Sequence, residues 1–119
     1  MSGNWFASYS YDGGTSFVNV NPFTQFPSLD GGFCCDQTVI YDKNTNSMIW
    51  QLLYLYSAST GKGSFRTAFA PPGSIYYGGW CYYDWNPSHF GIGTGFWLDY
   101  PEVSITNGFV YYTSNIYNP

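Results

Sequence analysis

At 119 residues the chain fits one domain with a modest core and is short of most complete closed β architectures. It is 45% hydrophobic, 24% aromatic and only 8% charged, a composition that favours strands over helices and excludes disorder. Three basic residues, Lys43, Lys62 and Arg66, face seven acidic ones for a net charge of -4. The basic patch of a nucleic-acid binder is therefore missing, anionic membrane surfaces are disfavoured, and no apolar run nears the roughly 20 residues of a spanning helix.

Met1 to Ser10 carry neither the basic start nor the apolar stretch of a secretory signal, so nothing there assigns export. Strands are predicted near Trp5–Tyr11 and Ser16–Val20, joined by a turn at Asp12-Gly13-Gly14. Cys34 and Cys35 follow. With Cys81 they make an odd count without CxxC spacing, which argues against zinc and against a disulfide framework and favours free, buried thiols. Adjacent cysteines point to opposite sides of a strand, so a bond between them would require a distorted backbone. Further strands are expected at Gln37–Tyr41 and Met48–Tyr56, the latter apolar along nearly its whole length and so buried on both faces. Phe65–Ala70, Trp80–Trp85, Glu102–Ile105 and Phe109–Asn115 complete the expected set, all of it joined by hairpins.

A degenerate internal repeat runs through these elements. Asn21-Pro22 recurs as Asn86-Pro87, Val39 aligns with Val103, and Met48-Ile49-Trp50 aligns with Phe109-Val110-Tyr111, a period of about 60–65 residues. The units are about 1–65 and 66–119, each with the content of one four-stranded propeller blade. The strand phase places half a blade at either end, so each end leaves an open edge. Head-to-tail joining of copies would complete a ring of six or eight blades, and a longer propeller in one chain would do the same.

Residues Ser10-Tyr11-Asp12-Gly13-Gly14-Thr15-Ser16-Phe17 resemble the Asp-box, or BNR repeat, of sialidase-like β-propellers, with Ser16 where Thr is usual. Ser10, Asp12, Gly14, Ser16 and Phe17 occupy the pattern positions. Its parts suit a turn: the Asp caps backbone amides, the glycines take positive φ, and the aromatic anchors the hairpin. In that family the box joins the third and fourth strands of a blade, where the phase above also puts it. The segments from Cys35 to Asp42 and from Asp99 to Ile105 look like inner-strand openings of such repeats. In the second unit Ala70-Pro71-Pro72-Gly73-Ser74 stands where another box is expected, so a different turn belongs there.

Sialidases of this kind use three arginines, a Tyr activated by Glu, and an Asp. This chain has one arginine, Arg66, and one glutamate, Glu102, so the resemblance implies a fold without that activity. Asp30, Asp36, Asp99 and Glu102 are the carboxyls from which a glycosidase pair could be drawn; capping of turns is the competing role. Calcium is the one metal for which the sequence offers candidate ligands, Asp30 or Asp36, and no EF-hand loop is present. His89 reads as an ordinary loop residue. The run Tyr76 to Trp85 offers flat rings with polar tips, the equipment of sugar binding. Alternation sends Trp80 and Tyr82 to one face and Tyr83 and Trp85 to the other, so part of the run is core. Trp80, Tyr82, Tyr83, Trp85 and Arg66 are the candidate ligand residues. The expectation is a non-catalytic propeller module that binds a ligand, carbohydrate being one candidate class, and that forms a homo-oligomer or part of a longer propeller. A glycoside-active enzyme and a structural scaffold are the alternatives. The Asp-box resemblance leans extracellular.

Overall fold

The computed structural model describes all residues from Met1 to Pro119. The chain is all-β: strands β1 (Ser2–Gly3), β2 (Phe6–Tyr9), β3 (Val18–Val20), β4 (Phe33–Asp42), β5 (Ser47–Tyr54), β6 (Lys62–Gly63), β7 (Phe65–Ala70), β8 (Cys81–Trp85), β9 (Phe96–Thr106) and β10 (Phe109–Tyr117), with 3-10 turns at Pro72–Tyr77 and Pro87–Phe90. All the expected strands are present, and the two additional ones are two residues long. β2 stops at Tyr9 because the Asp12 turn draws Ser10 and Tyr11 out of the ladder. β9 begins well before Glu102, at Phe96. Its pattern is interrupted by Tyr100-Pro101, which the ladder accommodates as a bulge: Glu102 and Asp99 of β9 oppose Thr113 and Asn115 of β10, and Tyr100 takes φ 51°.

Three open sheets result. The central one runs β4-β5-β7-β8, antiparallel throughout and in chain order. On one side lies β1-β2-β3. On the other lies β10-β9-β6, in which the short β6 pairs parallel with β9. The boundary expected near residue 65 therefore falls inside the central sheet, whose β4 and β5 lie before it and whose β7 begins at it. The two Asn-Pro segments share one local hydrogen bond. The Asn21 carboxamide oxygen accepts from the Phe23 amide at 2.9 Å, that of Asn86 accepts from the Ser88 amide at 3.0 Å, and each turn leads out of a hairpin's last strand.

β5 is buried on both faces, as its composition implies. Trp50, Leu52 and Tyr54 join Phe26, Phe33, Ala68 and Ala7 in the main core, whereas Ile49 and Leu53 are buried on the opposite face. There Phe65 meets Tyr112 of β10 at 5.5 Å between ring centroids. Trp97 donates from Nε1 to the Tyr54 carbonyl at 3.0 Å and lies so close over Gly63 that a Cβ at that position would overlap its indole ring. Gln37 joins the first and central sheets: its Nε2 donates to the carbonyls of Gly3 and Phe6, and its Oε1 accepts from Trp50 Nε1 at 2.7 Å.

The cysteines depart from expectation. Cys34 and Cys35 form a disulfide, and Cys81 is free but exposed, so no cysteine is a buried thiol. The backbone distortion that such a bond demands is present. Phe33 pairs with Tyr54 and Gln37 with Leu52, so β4 carries surplus residues against β5 and Cys34-Cys35-Asp36 occupy the bulge.

Candidate functional site

The first and central sheets meet along a cleft lined by Ser8 and Tyr9 of β2, Val20 of β3, Gln25, Val39 of β4, Met48 and Trp50 of β5, Ile75 of the first 3-10 turn, and Trp80, with Met1 and Ala7 completing it. These residues converge because Gln37 pins the first hairpin to β5 and because the Pro72–Tyr77 turn folds back over the hairpin. That turn ends at Gly78, φ 67°, whose carbonyl accepts from the Trp80 amide at 2.9 Å. The cavity measures about 60 Å³. It has room for a methyl- or acetyl-sized group and is well short of the roughly 300–1,000 Å³ of a full small-molecule pocket.

Next to it the rings of Tyr9, Tyr11 and Tyr76 form a triad, with centroids 5.4 Å (Tyr9–Tyr11), 5.3 Å (Tyr9–Tyr76) and 4.7 Å (Tyr11–Tyr76) apart. Tyr11 and Tyr76 are exposed, as is the adjoining Tyr77. Desolvation, then the neighbouring Tyr9, pushes the Tyr11 hydroxyl above its ordinary value of 10.0. The site thus combines an apolar slot, the polar side chains of Ser8 and Gln25, and a surface of aromatic rings with hydroxyl tips.

Of the sequence candidates, Trp80 belongs to this cleft; it is half-buried, its ring against Trp50 at 5.6 Å and Phe26 at 6.3 Å. Tyr82 lies on the same face, 5.4 Å from Phe26. Tyr83 and Trp85 lie on the other, as alternation requires. Tyr83 is exposed, and Trp85 packs on Tyr112 at 5.6 Å and Phe90 at 6.1 Å. These four residues therefore do not form one surface.

Arg66 is not displayed to a ligand, which corrects its placement among the candidate ligand residues. It is 2% exposed. Its Nε and Nη2 donate to the Asp84 carboxylate at 2.5 and 2.8 Å, and Nη1 donates to the Pro27 carbonyl at 2.8 Å and the Tyr54 hydroxyl at 3.0 Å. The guanidinium also lies 4.2 Å from the Tyr82 ring centroid. Four of its five N–H donors are consumed inside the fold. Burial pushes the Tyr54 hydroxyl up to about 12, partly offset by the positive charge of Arg66.

The residues that resemble an Asp-box form a closed turn between β2 and β3. Ser10 Oγ donates to Asp12 Oδ1 at 2.7 Å and accepts from the Gly14 amide at 2.8 Å, and Thr15 donates to the Asp12 carbonyl at 3.1 Å. The Ser16 amide donates to Asp12 Oδ1 at 2.9 Å and the Ser16 hydroxyl to Oδ2 at 2.6 Å. These bonds, those from Ser16 foremost, hold the Asp12 carboxyl far below its ordinary 3.8. Gly13 and Gly14 sit at φ 71° and 93°, a region that other residues reach only with strain. Phe17 departs from the expected anchor, being 49% exposed. The Pro72–Tyr77 turn, the different turn expected in place of a second box, has no carboxylate cap.

Among the carboxyls, Asp36 and Glu102 border one polar cleft of about 140 Å³ with Asn4, Gln37, Thr38, Tyr100 and Pro101. Asp30 is apart from them and works as a staple: it accepts from the hydroxyls of Thr60, at 2.9 Å, and Ser64. His89 Nδ1 accepts from the Asn86 amide at 3.2 Å in a capping box. No three His, Cys, Asp or Glu side chains converge as metal ligands, and no helix is long and apolar enough to cross a membrane. No protein-family model, curated protein or solved structure matches the chain.

Proposed function

We propose that the chain is a non-catalytic, ligand-binding module of β-propeller type, and that it takes carbohydrate at the Trp80 cleft. Support for the blade reading comes from the central sheet, a four-stranded antiparallel meander in chain order, flanked by an Asp-box-like hairpin before it and a long hairpin after it. The observation that carries the carbohydrate reading is the pairing of the apolar slot at Trp80 with the exposed rings of Tyr11 and Tyr76, which pack on the half-buried Tyr9. A sugar presents C–H faces that stack on rings and hydroxyls that seek polar partners, and Ser8, Gln25 and the tyrosine hydroxyls supply the latter. The slot receives a small apolar substituent while the ring lies on the tyrosines.

The test is a titration of the labelled protein with a panel of mono- and oligosaccharides, followed by amide and indole chemical shifts. Binding is expected to move Trp80 Nε1–H and to be lost in Tyr11→Ala and Tyr76→Ala, whose exposed rings leave the core intact. Trp80→Ala is the less clean variant because its ring also packs on Trp50. A panel without saturable shifts at these residues overturns the reading.

A second reading, glycoside hydrolysis, is favoured by one observation: Asp36 and Glu102 border a common cleft. Fluorogenic glycosides would reveal it as turnover abolished by Asp36→Asn and Glu102→Gln. Sialidase-type chemistry has no arginine available, since Arg66 is spent on Asp84.

A further inference from the structure

The β-sheet edges of the protein are unequal. β3 is three residues long, and β8 carries the charged Asp84 in five. β4 is ten residues long but half-buried, with Tyr41 its exposed residue. β10 differs from all of them. It is nine residues, lies at the end of its sheet, and contributes nothing to the backbone hydrogen bonds made outside the strand ladders. The side of β10 away from β9 therefore presents a row of free N–H and C=O groups.

Nothing along β10 blocks pairing. Phe109-Val-Tyr-Tyr-Thr-Ser-Asn-Ile-Tyr117 contains no charge, proline or glycine, although the whole chain is acidic. Edge strands are ordinarily defended by such residues or by a bulge. The bulge in this hairpin falls on β9, at Tyr100-Pro101, and leaves β10 regular. Phe109, Tyr111 and Tyr117 share one face and are at least half exposed, while Tyr112, on the opposite face, packs inward on Phe65 and Trp85.

We propose that β10 pairs antiparallel with β10 of a second copy of this chain, making a continuous β9-β10-β10-β9 sheet across a two-fold axis. Each chain carries a net charge of -4, and β10 is a nine-residue stretch with no charge in it, so two copies can meet here with no like charges set opposite one another along the seam. Centred on Thr113, the register sets Phe109 opposite the second copy's Tyr117 and Tyr111 opposite its Asn115. With the short β6 on each outer side, the resulting sheet runs β6-β9-β10-β10-β9-β6. Head-to-tail joining of β10 to a second copy's first hairpin fits less well. β2 is only four residues long, and its free edge is already taken by Met1–Gly3: the Ser8 amide donates to the Met1 carbonyl at 2.9 Å.

The experiment is light scattering of the full chain across a dilution series, together with two variants. The expected mass is twice the 13.4 kDa of one chain. Tyr111→Lys, which sets a charge on the exposed face, is expected to weaken association at least tenfold while preserving the far-ultraviolet circular dichroism. Thr113→Cys in a Cys81→Ser background is expected to give a covalent dimer on mild oxidation, a readout independent of any loss of stability. A monomer at all concentrations overturns the proposal, as does a trimer or tetramer. A dimer indifferent to Tyr111→Lys and uncrosslinked through Thr113→Cys does so equally. Sugar binding is read separately at Trp80, so failure of one proposal leaves the other standing.

Discussion

Asp84 and Asp12 are both engaged through both carboxylate oxygens, and they do different work. Asp84, in the central sheet, meets a guanidinium that is itself buried beneath Phe26, Tyr54 and Tyr82. Asp12, in the exposed β2–β3 turn, meets hydroxyls and amides within four residues of itself. The first holds distant segments together, since Arg66 links β7 to β8, to β5 through Tyr54 and to the loop at Pro27. The second shapes one turn. Long-range connection together with burial makes the loss of one partner global, whereas a local, solvated network keeps its loss local.

The largest expected effect follows from removing Arg66. Arg66→Ala would strand Asp84, vacate space below three rings and leave the Pro27 carbonyl unpaired. A broken buried pair costs about 3–5 kcal/mol, and the partial exposure of Asp84 places this one near the lower end. Urea unfolding should show that loss, and Arg66→Met paired with Asp84→Asn should recover part of it. A single variant as stable as the parent would remove the distinction between the two networks.

Alkali tests the same region without mutation. The Tyr54 hydroxyl has its pKa raised to about 12 against an ordinary 10.0, so the unfolded chain loses that proton first. Its contribution is therefore complete below about pH 10 and is lost as pH rises from 10 toward 12. The melting temperature should fall across that window, and Tyr54→Phe should flatten the fall. Tyr112, raised by burial on the other face of the sheet, should leave a residual slope.

How much of this was legible in the sequence differs by residue. β5 announced itself through a run that is apolar but for Gln51, and β7 through Phe65–Ala70, because strand burial writes a local pattern. The facing of Trp80 and Tyr82 away from Tyr83 and Trp85 followed from alternation alone. Arg66 was not legible as a buried residue, since its partners Asp84, Tyr54 and Pro27 are 12 to 39 positions away and the pairing exists only once three strands align. The Cys34–Cys35 bond was hidden for a related reason: alternation holds for regular strands, and the bulge is set by how β4 pairs with β5. The Tyr9–Tyr11–Tyr76 rings likewise come together only when the Pro72–Tyr77 turn folds over the first hairpin.

A smaller effect is expected at Gln51, which is fully buried on β5 with no partner for Nε2. Its Oε1 accepts only a long bond, 3.4 Å, from Thr67. An unpaired buried donor is costly, so Gln51→Met, close in shape, should stabilise the protein by about 1 kcal/mol. Thermal melts would read it. Destabilisation instead would mean that the buried amide contributes more than its hydrogen bonds display.

The smallest global effect belongs to Asp12, and here the comparison becomes sharpest. Its carboxyl titrates far below the ordinary 3.8, chiefly through Ser16. The stabilisation it brings is thus present in full above that value and is lost as pH falls below it toward the depressed native value. Asp12→Asn keeps the size of the side chain but removes the charge that both Ser10 and Ser16 address. The melting temperature should drop only slightly near neutrality, while amide exchange at Gly14 and Ser16 accelerates and exchange in β5 and β7 stays at its parental rate. If the central strands accelerate in step with the turn, the two regions unfold as one unit, and the Asp12 network is as global as that of Arg66.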